Sequence, residues 1–230
     1  TDAAALGTSA SLTLTPATGS GGEQIQCTAT ATDAAGDTDS AQASFEVENT
    51  APVFDVAAAI TGDLHNDATL TCTGSAIDAD GSVPALTYAW SNITAGTSLG
   101  TAQDQALDAT LASPADEISC TITATDPDGA FVTSSASVVL ENRAVAVDSV
   151  TVTGSTAYND ALLACTADAT DPDAEALTTT YLWTHGGTGA TLGTDATLQL
   201  DATIALPGDS IACDATVTDA AGASAFGTGS

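Results

Sequence analysis

Short runs of alternating apolar and polar residues recur along the whole chain, separated by Gly, Asp, Asn and Pro. In the stretch DEISCTITATDPDG, residues 116–129, Ile118, Cys120 and Ile122 fall at a spacing of two before an aspartate-rich turn. Successive side chains of a β-strand point to opposite faces, so this spacing places the three residues on one face. No long run with a helical period competes. The pattern predicts an all-β fold.

One nearly full set of strands can be placed between residues 51 and 140. Leu70 and Cys72, and then Leu86, Tyr88 and Trp90, again repeat at a spacing of two. Strands are predicted at 51–60, 68–77, 85–91, 105–111, 117–126 and 130–140. Short strands of this number and spacing predict a two-sheet antiparallel β-sandwich.

The same pattern recurs with a period of 93 residues. The triplet LGT begins at Leu6, Leu99 and Leu192, so each step is 93 residues. Other landmarks keep this step: Cys27, Cys120 and Cys213; Cys72 and Cys165; Tyr88 and Tyr181; Trp90 and Trp183. The chain is therefore predicted to hold the C-terminal half of a module at 1–49, a complete module at 50–142 and a nearly complete one at 143–230.

Cysteine and tryptophan follow a fixed order in the repeat. Trp90 lies 18 residues after Cys72, and Cys120 lies 30 residues after Trp90. This order resembles the immunoglobulin fold, in which the tryptophan packs on a disulfide that joins the two sheets. The chain looks like tandem immunoglobulin-like, cadherin-like surface repeats of bacteria or archaea. The resemblance implies Cys72–Cys120 and Cys165–Cys213 disulfides, each contributing about 4 kcal/mol on the loop-entropy model.

Cys27 occupies the position of Cys120 in an earlier copy, and its partner would lie before the first residue. We expect truncation of that copy to explain the missing partner. The alternative is a free nucleophilic thiol, which the lack of a nearby basic group to lower its pKa disfavours. Disulfides predict an extracellular or cell-surface location, because they persist in oxidising surroundings.

The charge balance excludes several classes of partner. The chain has 30 acidic residues, a single basic one, Arg143, and a formal net charge of -29. Nucleic-acid binding requires Lys and Arg to neutralise phosphates, and polybasic attachment to anionic lipid requires them as well. No run reaches the roughly 18 apolar residues of a membrane span. We therefore expect no nucleic-acid partner and no direct membrane insertion.

Aspartate-rich turns follow two of the predicted strands. In an immunoglobulin arrangement the turns AIDADGS and TDPDGA share one end of the sandwich with the linker from the preceding module. Oxygen ligands gathered at a module boundary suit Ca²⁺ and resemble the interdomain calcium sites of cadherins, with ENTAP as a match to the linker. The alternative is ordinary turn formation through Asx hydrogen bonds. The candidate ligands are Glu48, Asn49, Asp78, Asp80, Asp126 and Asp128, and then Glu141, Asn142, Asp171, Asp173, Glu175 and Asp219.

Motifs of catalysis are missing from the sequence. His65 and His185 occupy different repeat positions, and neither has a Cys or His at metal-ligand spacing. There is no P-loop and no GxSxG motif, and the carboxylates lie on predicted turns rather than in an apolar cleft. We expect no enzymatic activity and no required cofactor. The triplet NIT at Asn92 is a candidate glycosylation site.

Two functions fit these features. The first is an extracellular structural protein, a segment of a long surface fibre, stalk or filament that partners itself or the continuation of its own chain. The second is an adhesin that binds carbohydrate or a surface protein through loops or a sheet face. The fold is common to both, so an exposed aromatic cluster present in one copy would favour the adhesin.

Overall fold

All regular elements in the described part of the chain are β-strands. The computed structural model describes residues 4–154 and 158–230. The strands pair antiparallel, which confirms the predicted all-β class. No helix that is long and apolar enough to cross a membrane occurs in these residues. The strands are β1 Gln24–Thr32, β2 Thr38–Glu46, β3 Val53–Thr61, β4 Thr69–Ile77, β5 Ala85–Asn92, β6 Thr97–Gly100, β7 Asp104–Ala106, β8 Glu117–Thr125, β9 Phe131–Val139, β10 Ala146–Thr153, β11 Leu162–Thr170, β12 Thr178–His185, β13 Thr191–Gly193, β14 Thr197–Gln199, β15 Ile211–Thr218 and β16 Ser224–Gly229.

The sheets follow the sequence repeat. Strands β1 and β2 form a two-stranded sheet. The middle repeat has a β3-β4-β7 sheet and a β6-β5-β8-β9 sheet, and the third repeat has β10-β11-β14 and β13-β12-β15-β16 in the same order. Equal strand order in two segments 93 residues apart means that one sequence pattern specifies one topology twice.

Two compact units can be distinguished in the chain. One comprises the described residues up to Gly62 together with Leu70–Gln105 and Ile118–Val138. The other comprises Asp63–Thr69, Ala106–Glu117 and Val139–Ser230. These units do not coincide with the modules expected at 1–49, 50–142 and 143–230, so those boundaries stay predictions.

The core of the middle repeat is built on one disulfide. Cys72 on β4 and Cys120 on β8 join its two sheets, with their Cα atoms 6.3 Å apart. Leu70, Trp90 and Ile118 are at most 1% exposed. The Trp90 Nε1–H donates to the carbonyl oxygen of Ala102 at 2.9 Å, so the indole is buried with its one donor satisfied.

The third repeat reproduces this core. Cys165 on β11 and Cys213 on β15 are bonded, with their Cα atoms 6.4 Å apart. Trp183 is fully buried, and its Nε1–H donates to the carbonyl oxygen of Asp195 at 2.8 Å. Both predicted disulfides are thus confirmed.

The predicted strand at 105–111 is largely wrong. Strand β7 ends at Ala106, and Asp108 then starts a turn. Its Oδ1 accepts hydrogen bonds from the backbone N–H of Thr110 at 2.8 Å and from the Thr110 hydroxyl at 2.6 Å. Strand β6 was not predicted, because Leu99 is its single large apolar residue and shows no period.

Candidate metal sites at the repeat junctions

Acidic turns lie close to the segments where one sequence repeat passes into the next. We define the first junction as residues 48–50 with the turns 78–82 and 126–130. The second junction is residues 141–143 with the turns 171–175 and 219–223. All residues of the first junction belong to the first compact unit, and all residues of the second belong to the other.

A short hydrogen-bond network organises the first junction. Asn49 Nδ2 donates to Asp126 Oδ2 at 2.9 Å. The backbone N–H of Thr50 donates to Asp80 Oδ2 at 2.6 Å, and the N–H of Asp80 donates to Asp78 Oδ1 at 2.7 Å. These three hydrogen bonds tie four of the six residues predicted here to the linker or to one another.

The remaining two residues of the first set are exposed. Glu48 and Asp128 line an open depression of about 400 Å³, together with Asn49. The backbone N–H of Asp128 donates to the carboxylate of Asp126, so Asp128 joins the network through its main chain.

The second junction repeats the network position by position. Asn142 Nδ2 donates to Asp219 Oδ2 at 3.2 Å. The backbone N–H of Arg143 donates to Asp173 Oδ2 at 2.6 Å, and the N–H of Asp173 donates to Asp171 Oδ1 at 2.8 Å. The exposed Glu141 contributes its backbone N–H, which donates to the carbonyl oxygen of Leu64 at 2.6 Å.

Arg143 adds an ion-pair network that the first junction does not have. Its Nε and Nη2 both lie 2.8 Å from Asp173 Oδ1, and its Nη2 is 3.1 Å from Asp67 Oδ1. The Asp173 side chain is fully buried, and its hydrogen bond raises the pKa of Arg143 further above the usual value. Thr50 stands at the repeat position of Arg143.

The sequence did not reveal the loop that meets this arginine. Asp67 pairs with Arg143, and Asn66, which is 2% exposed, donates from Nδ2 to the Asp173 carbonyl oxygen at 2.8 Å. Both residues lie between β3 and β4, far from Arg143 in sequence. The one available signal was that Arg143 is the chain's lone Lys or Arg amid 30 acids.

Three carboxylates of the second junction lie close enough to hold one ion. Asp171, Glu175 and Asp219 each place one oxygen within 4.8 Å of the others. Ser82 replaces Glu175 in the first junction, and no equivalent group of three is found there among the described residues.

Several carboxylate oxygens in these turns are buried without a hydrogen-bond donor. Within residues 4–154 and 158–230 these atoms are Asp78 Oδ2, Asp171 Oδ2 and Glu175 Oε2. Buried polar atoms in folded proteins normally have a partner, and a carboxylate oxygen without one has the chemistry of a cation ligand. Asp78 and Asp171 are equivalent positions of the repeat, so a buried carboxylate oxygen without a donor occurs in both junctions.

The pKa values reflect the crowding of negative charge. Burial raises the pKa of Glu175, and the charges of Asp219, Asp171 and Asp173 raise it further. Burial also acts to raise the pKa of Asp219, but hydrogen bonds from Asn142 and from the backbone keep that pKa below the usual value. Repulsion is thus concentrated on Glu175, the carboxylate present in this junction alone.

Asn92, the candidate glycosylation site, is 1% exposed. Its Oδ1 accepts a hydrogen bond from the backbone N–H of Ala95 at 2.9 Å. The folded domain therefore does not present this asparagine to a glycosylating enzyme, and a glycan there would have to be attached before folding.

Large exposed aromatic side chains are spread over different elements. Phe45 lies on β2, Phe131 on β9 and Phe226 on β16, and they are 56%, 65% and 78% exposed. They occupy different repeat positions.

Comparisons with known proteins give matches to solved structures at low sequence identity and low TM-scores. No protein family and no curated protein matches the chain. A tetra-tandem repeat in the extending region of a large adhesion protein is 19% identical, with a TM-score of 0.36 over 93% of this chain and 56% of that one. A Ca²⁺-stabilised adhesin of an Antarctic bacterium is 20% identical, with a TM-score of 0.27 over 90% and 55%. A 1.5-MDa bacterial ice-binding adhesin is 18% identical, with a TM-score of 0.32 over 90% and 73%. The chain spans about half the length of the first two structures.

Proposed function

We propose that this chain is a segment of an extracellular structural protein, a surface fibre, stalk or filament built from tandem immunoglobulin-like repeats. The observation that carries the proposal is the duplicated design of residues 53–139 and 146–229. Both have the same strand order, the same sheet-to-sheet disulfide and the same tryptophan-to-carbonyl hydrogen bond. Repeats that contact only their neighbours are suited to spanning distance.

The disulfides and the charge of the chain support the proposed location and partners. Disulfides persist outside the cytosol. A net charge of -29 makes separate copies of the surface repel one another. Continuation of the same chain is therefore the expected neighbour of each repeat.

Calcium at the junctions is the second part of the proposal. The group formed by Asp171, Glu175 and Asp219 offers three carboxylates, and two of its buried oxygens have no donor. Ca²⁺ takes six to eight oxygens from carboxylates, carbonyls and water in flexible geometry. Bound there, the ion would tie the turns 171–175 and 219–223 together and offset the repulsion at Glu175.

Solution scattering tests the structural role. The proposal requires modules joined end to end, and at about 40 Å each, from ten-residue strands plus loops, they would give a particle about 100 Å long with a radius of gyration near 30 Å. A compact globule of 230 residues would have a radius of gyration of about 17 Å. We expect the larger value in Ca²⁺ and a broader distribution of lengths in EDTA. A value near 17 Å in both would contradict the proposal.

A further inference from the structure

The hairpin β1–β2 exposes a face made of apolar residues. Ile25, Cys27 and Ala29 alternate along β1 and are paired with Phe45, Ala43 and Ala41 of β2. Of these six residues only Ile25 is even half-buried, and Phe45 is 56% exposed. The opposite face of β1 carries Gln24, Gln26, Thr28 and Thr30. An amphipathic hairpin with an uncovered apolar face normally needs a covering element.

The middle repeat shows how the same face is covered. Strand β8 is the 93-residue equivalent of β1, and its residues Ile118, Cys120 and Ile122 are fully buried. Cys120 is bonded there to Cys72 of β4 in the opposite sheet. The apolar face of β8 is therefore covered in part by a strand that carries a cysteine. The equivalent cysteine on β1, Cys27, is free and exposed.

The edge of the hairpin shows a second difference. In the middle repeat β8 lies between β5 and β9, and Trp90 of β5 pairs with Cys120. Among the described residues β1 has β2 as its strand neighbour, so its other edge presents unpaired backbone groups. Such an edge is a template for one more strand.

We propose that the hairpin β1–β2 is an acceptor surface for the first three strands of another copy of the repeat, a segment patterned like residues 50–93. A strand like β5 would pair with the open edge of β1, and a strand like β4 would cover the apolar face. Such a segment is in register with the hairpin when its cysteine lies 48 residues before Cys27, which is the separation of Cys72 and Cys120. The inference rests on the internal repeat and does not depend on calcium.

The covalent part of the inference is a disulfide between Cys27 and the cysteine of the docked segment. Each thiol loses its proton, one sulfur–sulfur bond forms, and two electrons pass to a small-molecule disulfide such as oxidised glutathione. That oxidant is reduced to two thiols. The two sulfurs would stand as those of Cys72 and Cys120 do in the middle repeat.

The test adds a copy of residues 50–93 ahead of Thr1 in the full chain and refolds it with a glutathione redox couple. We expect a Cys27 disulfide to the added cysteine by peptide mapping. A second extended chain carries Cys72→Ser in the added copy alone, so that Cys27 stays a free thiol. In this chain Cys27 should react with a thiol reagent more than ~10-fold more slowly than in the unextended chain, because the added strands cover the apolar face of the hairpin. An extension of scrambled sequence is the matched control and should leave Cys27 reactive.

Two outcomes would overturn the inference. One is an added segment that stays protease-sensitive while Cys27 reacts as fast as in the unextended chain. The other is a Cys27-to-Cys27 disulfide between two copies of the extended chain, which would assign the open face to a second copy. Calcium is left out of all samples, so a negative result here is distinct from failure of the proposed metal site.

Discussion

The two junctions share a backbone arrangement and differ in how negative charge is balanced. In both, an asparagine of the linker donates to the aspartate that directly follows β8 or β15, and the backbone N–H of the next linker residue donates to an aspartate of the other turn. The differences are Thr50 against Arg143 and Ser82 against Glu175. The repeated sequence therefore determines the hydrogen-bond arrangement of both junctions, and single substitutions determine the balance of charge in each.

The difference gives each junction its own expected behaviour. Arg143 neutralises the buried Asp173 without any metal, whereas Thr50 brings no charge to Asp80. Glu175 adds a third carboxylate beside Asp171 and Asp219. The second junction should be the more stable one in EDTA and the stronger binder of Ca²⁺.

The largest effect, which is the loss of a disulfide, should be equal in the middle and third repeats. Replacing Cys72 and Cys120 by Ala, or Cys165 and Cys213 by Ala, should lower the free energy of unfolding of that repeat by about 4 kcal/mol, since each disulfide spans 48 residues. Hydrogen exchange of β8 and β15 amides in denaturant measures the two repeats separately. If the two losses in the free energy of unfolding differ by more than about 2 kcal/mol, the two disulfides do not stabilise their repeats equally.

Exchanging the two linker residues is the next largest perturbation. Arg143→Thr should lower the stability of the second unit by about 2 kcal/mol, because buried Asp173 loses a charged hydrogen-bond donor. The matched variant Thr50→Arg should gain less than about 1 kcal/mol, since Thr50 is exposed. Denaturant unfolding in EDTA measures both. Equal and opposite effects would mean that the surroundings of the two positions do not differ.

The smallest effect is the pH dependence that Glu175 gives to the second junction. The pKa of Glu175 is raised above its usual 4.5 in the folded chain, so stability contributed by its proton is complete below 4.5 and lost as pH rises through the folded pKa. In EDTA, lowering the pH from 7 towards 5 should stabilise the wild type relative to Glu175→Gln. Denaturant midpoints at each pH measure the difference, and parallel pH profiles for the two proteins would contradict it.

Much of the fold could be predicted because local sequence patterns determine it. Spacing of two placed Cys120 and its neighbours on a buried face, and the Cys, Trp, Cys order implied both disulfides. Strand β6 was not predicted, because its four residues include one large apolar side chain and so show no alternation of apolar and polar positions. Strand β7 was overextended because the turn at Asp108 depends on a side-chain hydrogen bond.

The junctions were only partly predictable. The turns and linker residues could be grouped from topology, and the structure brings Asn49 to Asp126 and Asn142 to Asp219. The contacts of Arg143 with Asp67 could not be, because the loop before β4 has no pattern that points to residue 143. Burial of Asn92 was also hidden, since a three-residue sequon carries no information on exposure.

Thermal unfolding of the wild type and Glu175→Gln, each in EDTA and in millimolar Ca²⁺, tests the central claim most directly. Wild type should melt higher in Ca²⁺, by the equivalent of about 2.7 kcal/mol at 100 times the dissociation constant. Glu175→Gln should melt higher than wild type in EDTA, because a repelled carboxylate is gone, and should lose most of the gain from Ca²⁺. The control Asp37→Asn removes one charge from a turn outside both junctions and should keep the full gain. Identical melting of the wild type in Ca²⁺ and EDTA would contradict the account.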